Sequence, residues 1–182
     1  MPITDVMIDL ETLGTRVESG VPVLSIGWCC WDADAPWPEH GPYQAAQLFI
    51  KGPPGKIDFG TLHWWSGQPG EALRMLLANG VRGLNLDEAL QQLKQTIASL
   101  DKPRIWSHGS MFDIAILEYW YRYWEMTPPW NYWQVMDTRT IYALCREKLS
   151  SNSHDAMADA INQAALVHEC WQRTKAARSG PR

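Results

Sequence analysis

An α/β fold with a mixed, five-stranded sheet covered by helices is what this sequence predicts. Strand-like segments come first, three in a row, joined by stretches rich in Gly, Pro and Asp of the kind that connect antiparallel neighbours. From about residue 61 helical periodicities take over. Two short strand-like segments then alternate with helical ones, the pattern of strands covered by crossover helices.

The first strand is predicted over residues 4–10, where apolar and acidic residues alternate in Asp5-Val6-Met7-Ile8-Asp9-Leu10-Glu11. The second is the run Val23 to Trp31, and the third is Gln47-Leu48-Phe49-Ile50-Lys51. A turn at residues 52–55 closes this part, so the first three strands read as antiparallel. Helices follow from Thr61 to about Ser66, from Gly70 to Asn79 with Gly80 as the stop, and from Asp87 to Leu100, where Leu86, Leu90, Leu93 and Ile97 form one stripe. A strand at Arg104-Ile105-Trp106 precedes a helix from Met111 to Glu125. A strand around Tyr132 to Met136 precedes a helix from Thr138 to Glu147, and a last helix runs from Asp155 to Lys175. Residues 1–176 read as a single domain and 177–182 as a flexible basic tail, with no internal repeat.

Composition narrows the function. Of 182 residues, 46% are hydrophobic, enough for a sizeable core, and no apolar run approaches the roughly 18 residues of a membrane span. With acidic residues already at Asp5, Asp9 and Glu11, the N-terminus lacks the pattern of a signal peptide, so a cytoplasmic location without membrane contact is expected. Cys29, Cys30, Cys145 and Cys170 have no zinc-like spacing and read as reduced thiols. A net charge of −4 argues against a wide basic face that coats nucleic acid, yet leaves open a site whose acids bind metals that in turn hold a phosphodiester. Eleven tryptophans are an excess. Flat rings suit single-stranded bases, although most are expected in the core.

Asp9 and Glu11 fall side by side on one face of the first strand, where their repulsion calls for a cation between them. Asp113 follows Ser110 by three residues, so on its own it reads as a helix cap. In Ser153-His154-Asp155-Ala156-Met157-Ala158-Asp159, Ser153 reads as an N-cap and Asp155 as a first-turn acid. The combined order is more specific than any part: Asp-x-Glu on the first strand, an Asp opening a helix after a mid-chain strand, then His-x-x-x-x-Asp on the last helix.

In that order the sequence resembles the DEDDh exonucleases, the 3′-to-5′ exonuclease superfamily with a ribonuclease-H-like fold. The likeness rests on Asp9-Leu10-Glu11-Thr12-Leu13-Gly14, on Ser107-His108-Gly109-Ser110-Met111-Phe112-Asp113, and on His154 through Asp159, and it spans residue 5 to about residue 170. Thr61 through Gln68 and Asp137-Thr138-Arg139-Thr140 give a narrower resemblance to phage dexA-type exodeoxyribonucleases, the nuclease region of exodeoxyribonuclease VIII and a group of small bacterial exoribonucleases. The resemblance implies that Asp9, Glu11, Asp113 and Asp159 hold two Mg²⁺ or Mn²⁺ ions around the last phosphodiester, and that His154 is the general base. Asp155 is a rival for the last metal position, and Asp159 alone keeps the five-residue step from His154. The resemblance also sets Thr12, Leu13 and Phe112 against the terminal sugar and base, with helix-core packing an equal alternative for Phe112. Trp64 and Trp65 diverge by about 100° on a helix. One stacks on a base, or both are core. Asp137 and Arg139 belong to the rim, or Asp137 is only a helix cap.

The leading expectation is release of nucleoside 5′-monophosphates from the 3′ end of single-stranded DNA. The same chemistry on RNA is its close rival, and a non-catalytic module that binds nucleic acid or a polymerase is a third reading, against which the complete acidic set argues. The aromatic run Tyr119 to Trp124 is either a homodimer interface or a helix buried against the sheet. Arg173, Lys175, Arg178 and Arg182 either guide a polyanion or are merely solvated, and His40, His63, His108 and His168 receive no ligand role.

Overall fold

The structure is a computed structural model and describes residues 3–39, 41–149 and 153–179. Five strands form one mixed sheet: β1 (Asp5–Thr12), β2 (Val23–Trp31), β3 (Gln44–Phe49), β4 (Arg104–Ser107) and β5 (Val135–Asp137), in the order β3-β2-β1-β4-β5. The first three are antiparallel, while β4 runs parallel to β1 and β5 parallel to β4. Among the described residues the α-helices are α1 (Phe59–Ser66), α2 (Gly70–Gly80), α3 (Leu86–Ala98), α4 (Asp113–Tyr123), α5 (Thr138–Cys145) and α6 (Ala156–Ser179). No described helix is long and apolar enough to cross a membrane.

β1 lies in the middle of the sheet and is buried along its whole length. Its two faces therefore serve different purposes. Val6, Ile8 and Leu10 join Leu90 and Leu93 of α3 and Ile114, Leu117 and Trp120 of α4 in the larger core. Met7 on the opposite face packs with Trp106, Ile141 of α5, and Ala160, Ala164 and Val167 of α6. The alternating acids Asp5, Asp9 and Glu11 share this second face.

Two features bring α6 close to the sheet. Ala160 and Ala164 stand one turn apart and are fully buried, so the helix presents little bulk to the strands. Opposite Asp9 in the register is Gly27 of β2, where a Cβ would lie 2.1 Å from the Ala156 carbonyl carbon and 2.3 Å from the Met157 nitrogen. Backbone meets backbone there, and only glycine fits.

Several elements depart from the sequence expectation. The third strand begins at Gln44, before its apolar stretch, because pairing with β2 continues to Cys30. Ile50 beyond it makes an isolated bridge to Leu84. Residues 132–134 form a 3₁₀ turn, as Gln134 Nε2 donates to the Pro103 carbonyl and its Oε1 caps Asn131. Only 135–137 pair as β5. The helix expected from Met111 starts at Asp113. Its aromatic run is mostly internal: Trp120 Nε1 donates to the Val21 carbonyl, Tyr121 Oη to that of Leu90, and Tyr123 stays exposed. In the basic tail, Arg173 pairs with Glu147 and Glu169 and Lys175 with Asp34, whereas His40, Arg182 and the Arg178 side chain lie outside the described residues.

Candidate active site

Three acids on one face of β1 meet different fates. Asp5 is wholly buried and satisfied: its carboxylate accepts from Arg104 Nε at 2.7 Å and Nη2 at 2.8 Å, from Trp106 Nε1 at 2.8 Å and from the Ala33 N–H. That acid is structural. Asp9 and Glu11, further along the strand, are also buried, though less completely, and among the described residues no lysine or arginine pairs with either. Burial, partly offset by the Gln163 amide and reinforced by Asp159 and Asp155, holds the Asp9 carboxyl at about 7. Burial and then repulsion from Asp9 and Asp159 push Glu11 to about 9. An external cation would reverse both effects.

The other members come from two helices. Asp113 occupies the first turn of α4, buried behind the end of β1, where burial and the Asp9 charge raise its carboxyl well above its usual value. It is no capping-box partner of Ser110, whose N–H and hydroxyl turn instead to Asp137 Oδ2 at 2.8 and 3.2 Å. Asp159 reaches the sheet from the start of α6. One carboxylate oxygen accepts from the Ser153 N–H and hydroxyl, each at 2.8 Å, and the other from the His154 N–H at 2.9 Å. His154 takes a left-handed backbone, φ 56°, to aim that N–H. Asp155 caps α6, its Oδ1 accepting from the Ala158 N–H at 2.9 Å.

Asp9, Glu11 and Asp159 each offer an oxygen within 4.8 Å of the others, a buried arrangement able to hold a metal ion, and Asp155 does not belong to it. Hard carboxylate oxygens, crowded together and with no described lysine or arginine paired to Asp9 or Glu11, suit Mg²⁺ or Mn²⁺. The set fits.

Asp9 and Glu11 line a cleft of about 550 Å³ that also takes in Thr12, Trp64, Trp65, His108, Phe112, Asp113, Arg139, His154 and Gln163. Leu13 instead packs behind it with Leu24, Trp65 and Leu76. Trp65 is 2% exposed and its Nε1 donates to the Thr12 carbonyl at 2.9 Å, so it props the end of β1. Trp64 is 47% exposed. The His154 ring stands edge-on to both tryptophans, at 5.1 and 5.5 Å, and its Nε2 meets Gln68 Oε1 at 3.0 Å, while Nδ1 is buried with no partner among the described residues. Phe112 is partly buried against the α4 core and also faces the cleft, so both of its expected surroundings are present.

Four participants were not singled out from the sequence. Gln163 donates to Asp9 Oδ1 at 2.8 Å and stands one helical turn after Asp159, a spacing that could have revealed it. Gln68 holds His154. Gly27, a glycine inside a strand, could have signalled a close approach without showing to what. His108, whose Nδ1 meets Thr138 Oγ1 at 2.8 Å, is kept below its ordinary pKa by burial and by Arg139.

The family model of the 3′-5′ exoribonuclease Rv2179c-like domain matches residues 4–171. The chain belongs to this family. Membership makes it a hydrolase, a 3′-to-5′ exonuclease. A comparison with curated proteins finds no match. Among solved structures, the chain is similar to the nuclease domain of 3′hExo, a DEDDh family member bound to rAMP, with a TM-score of 0.61 at 12% identity over 92% of this chain and 91% of that one. It is similar to E. coli exonuclease I in complex with a dT13 oligonucleotide, with a TM-score of 0.64 at 17% identity over 96% of this chain and 42% of that one. S. pombe Pop2p in its Mg²⁺- and Mn²⁺-bound form gives 0.61 at 13% identity over 94% and 84%. These likenesses establish the Rv2179c-like domain as a ribonuclease-H-like fold.

Proposed function

We propose that the protein removes nucleoside 5′-monophosphates from the 3′ end of a single strand by two-metal hydrolysis, with RNA the preferred strand and DNA the second. The observation that carries this reading is the buried set Asp9, Glu11 and Asp159, three oxygens within 4.8 Å, with no lysine or arginine among the described residues paired to Asp9 or Glu11. RNA is placed first because the family is described by an exoribonuclease. DNA keeps a place through the dT13 held by exonuclease I.

Asp9, Glu11, Asp113 and Asp159 would hold the metals, which when bound supply an activated water and neutralise charge at the departing 3′ oxygen. Gln163 orients Asp9. His154 accepts the proton of the attacking water, letting go of Gln68 as its ring turns into the cleft. Thr12 and Phe112 define the floor for the terminal sugar and base, with Leu13 packed behind it. Trp64, half exposed beside His154, offers a face for stacking, and Trp65 holds the floor in place. The segment Thr61 to Gln68, which supports the narrower kinship with dexA-type and small exoribonucleases, supplies both tryptophans and Gln68.

The test is digestion of matched 5′-labelled RNA and DNA oligonucleotides with Mg²⁺ or Mn²⁺, beside an Asp113→Ala variant. A ladder shortening from the 3′ end, faster on RNA and absent in the variant, is expected. Faster digestion of DNA would reverse the substrate order, and two inert strands would leave a binding module as the better description.

A further inference from the structure

We infer that Arg139 is a phosphate-binding residue, gripping the phosphate one nucleotide upstream of the scissile one. The inference rests on the exonuclease reading. Among the described residues lining the cleft, Arg139 is the one lysine or arginine, and it forms no ion pair with any described acid. Its neighbour Asp137 does not neutralise it: that carboxylate is taken up by the N–H groups of Ser110 and Arg139 and the Ser110 hydroxyl.

The guanidinium is also placed. It lies along the bare backbone of Gly109, where a Cβ would stand 3.1 Å from the guanidinium carbon and from Nη1, and where φ of 111° already favours glycine. One face of the planar group is thereby covered and the rest is exposed. A fork of donors held flat, charged and unpaired beside a polyanion cleft matches a phosphate well. On the exonuclease reading the scissile phosphate is taken by the metals that Asp9, Glu11, Asp113 and Asp159 would hold, which leaves Arg139 for another anion nearby. The first anion available there is the next phosphate along the strand, since the 3′ end carries none.

The experiment compares a dinucleotide bearing a 5′-hydroxyl with the same dinucleotide bearing a 5′-phosphate, whose extra group occupies the upstream position. The expected result is a kcat/KM roughly tenfold or more higher for the phosphorylated substrate, carried mainly by KM. Arg139→Gln should bring that ratio near one, and Arg139→Lys should leave an intermediate ratio, keeping the charge without the fork. On longer RNA, Arg139→Gln should also flatten the salt dependence, by about 0.7 in the log–log slope for one lost phosphate contact. An unchanged ratio in Arg139→Gln, or equal losses on both dinucleotides, would overturn the assignment. Failure of the wild-type protein to cut either dinucleotide or longer RNA would overturn the nuclease reading and this assignment with it.

Discussion

Asp9→Asn should stabilise the metal-free protein while removing its activity. In the unfolded chain Asp9 ionises near pH 3.8, but in the folded, metal-free protein only near 7, so the native state keeps an extra proton between those values. Stability contributed by the site therefore falls as pH rises through that window and stays low above it. At about 1.36 kcal/mol per pH unit, ionising Asp9 in place costs on the order of 4 kcal/mol at pH 8 and under about 2 kcal/mol at pH 5. Asparagine is nearly isosteric, keeps an oxygen for the Gln163 amide at Oδ1 and carries no charge, and its neutrality also relieves Glu11. Urea denaturation in EDTA should show the variant more stable than wild type, with a larger gap at pH 8 than at pH 5. Millimolar Mn²⁺ should then reverse the order, since binding to the native state stabilises only a protein with an intact site. A variant less stable than wild type in EDTA at pH 8, or a gap that ignores pH, would refute the argument that an unneutralised charge is buried at Asp9.

Gly27→Ala should lift α6 from β2, lowering the melting temperature and abolishing the Mn²⁺-induced rise, because the new Cβ meets backbone at 2.1 Å; thermal melts with and without metal check this. Trp64→Ala should raise KM for RNA about tenfold with little change in stability, as expected for one lost stacking contact, whereas Trp65→Ala should cost about 3–5 kcal/mol in denaturant titrations. Asp155→Ala should cost about 1 kcal/mol as a lost helix cap yet retain the Mn²⁺ response, while Asp159→Ala should lose it; paired metal titrations followed by thermal melting separate the two.

What the sequence made legible was local or periodic. The alternation from Asp5 to Glu11 placed two acids on one face of a central strand, and it could not tell Asp5, neutralised by Arg104 ninety-nine residues away, from Asp9 and Glu11, which have no such partner among the described residues. Ser110 and Asp113 looked like a cap because the spacing is right. The hydroxyl went to Asp137 because a parallel strand brings that residue alongside, a contact no window of sequence contains. Tyr132 to Gln134 read as strand from its aromatics, and one side-chain bond to the Pro103 carbonyl was enough to turn it into a 3₁₀ turn. Gly27 was passed over as part of a strand, because what approaches it is encoded some 130 residues later.

That distance has a consequence for synthesis. Asp9 and Glu11 leave the ribosome well before Asp159, His154 and the Gln163 that orients Asp9, all at or near the start of α6. A growing chain can pair β1 with β2 and bury the larger core before the acidic triad exists, because the triad closes only when α6 settles on Gly27. A chain that lacks α6 thus carries half a metal site, and the nuclease is complete only once that helix is in place.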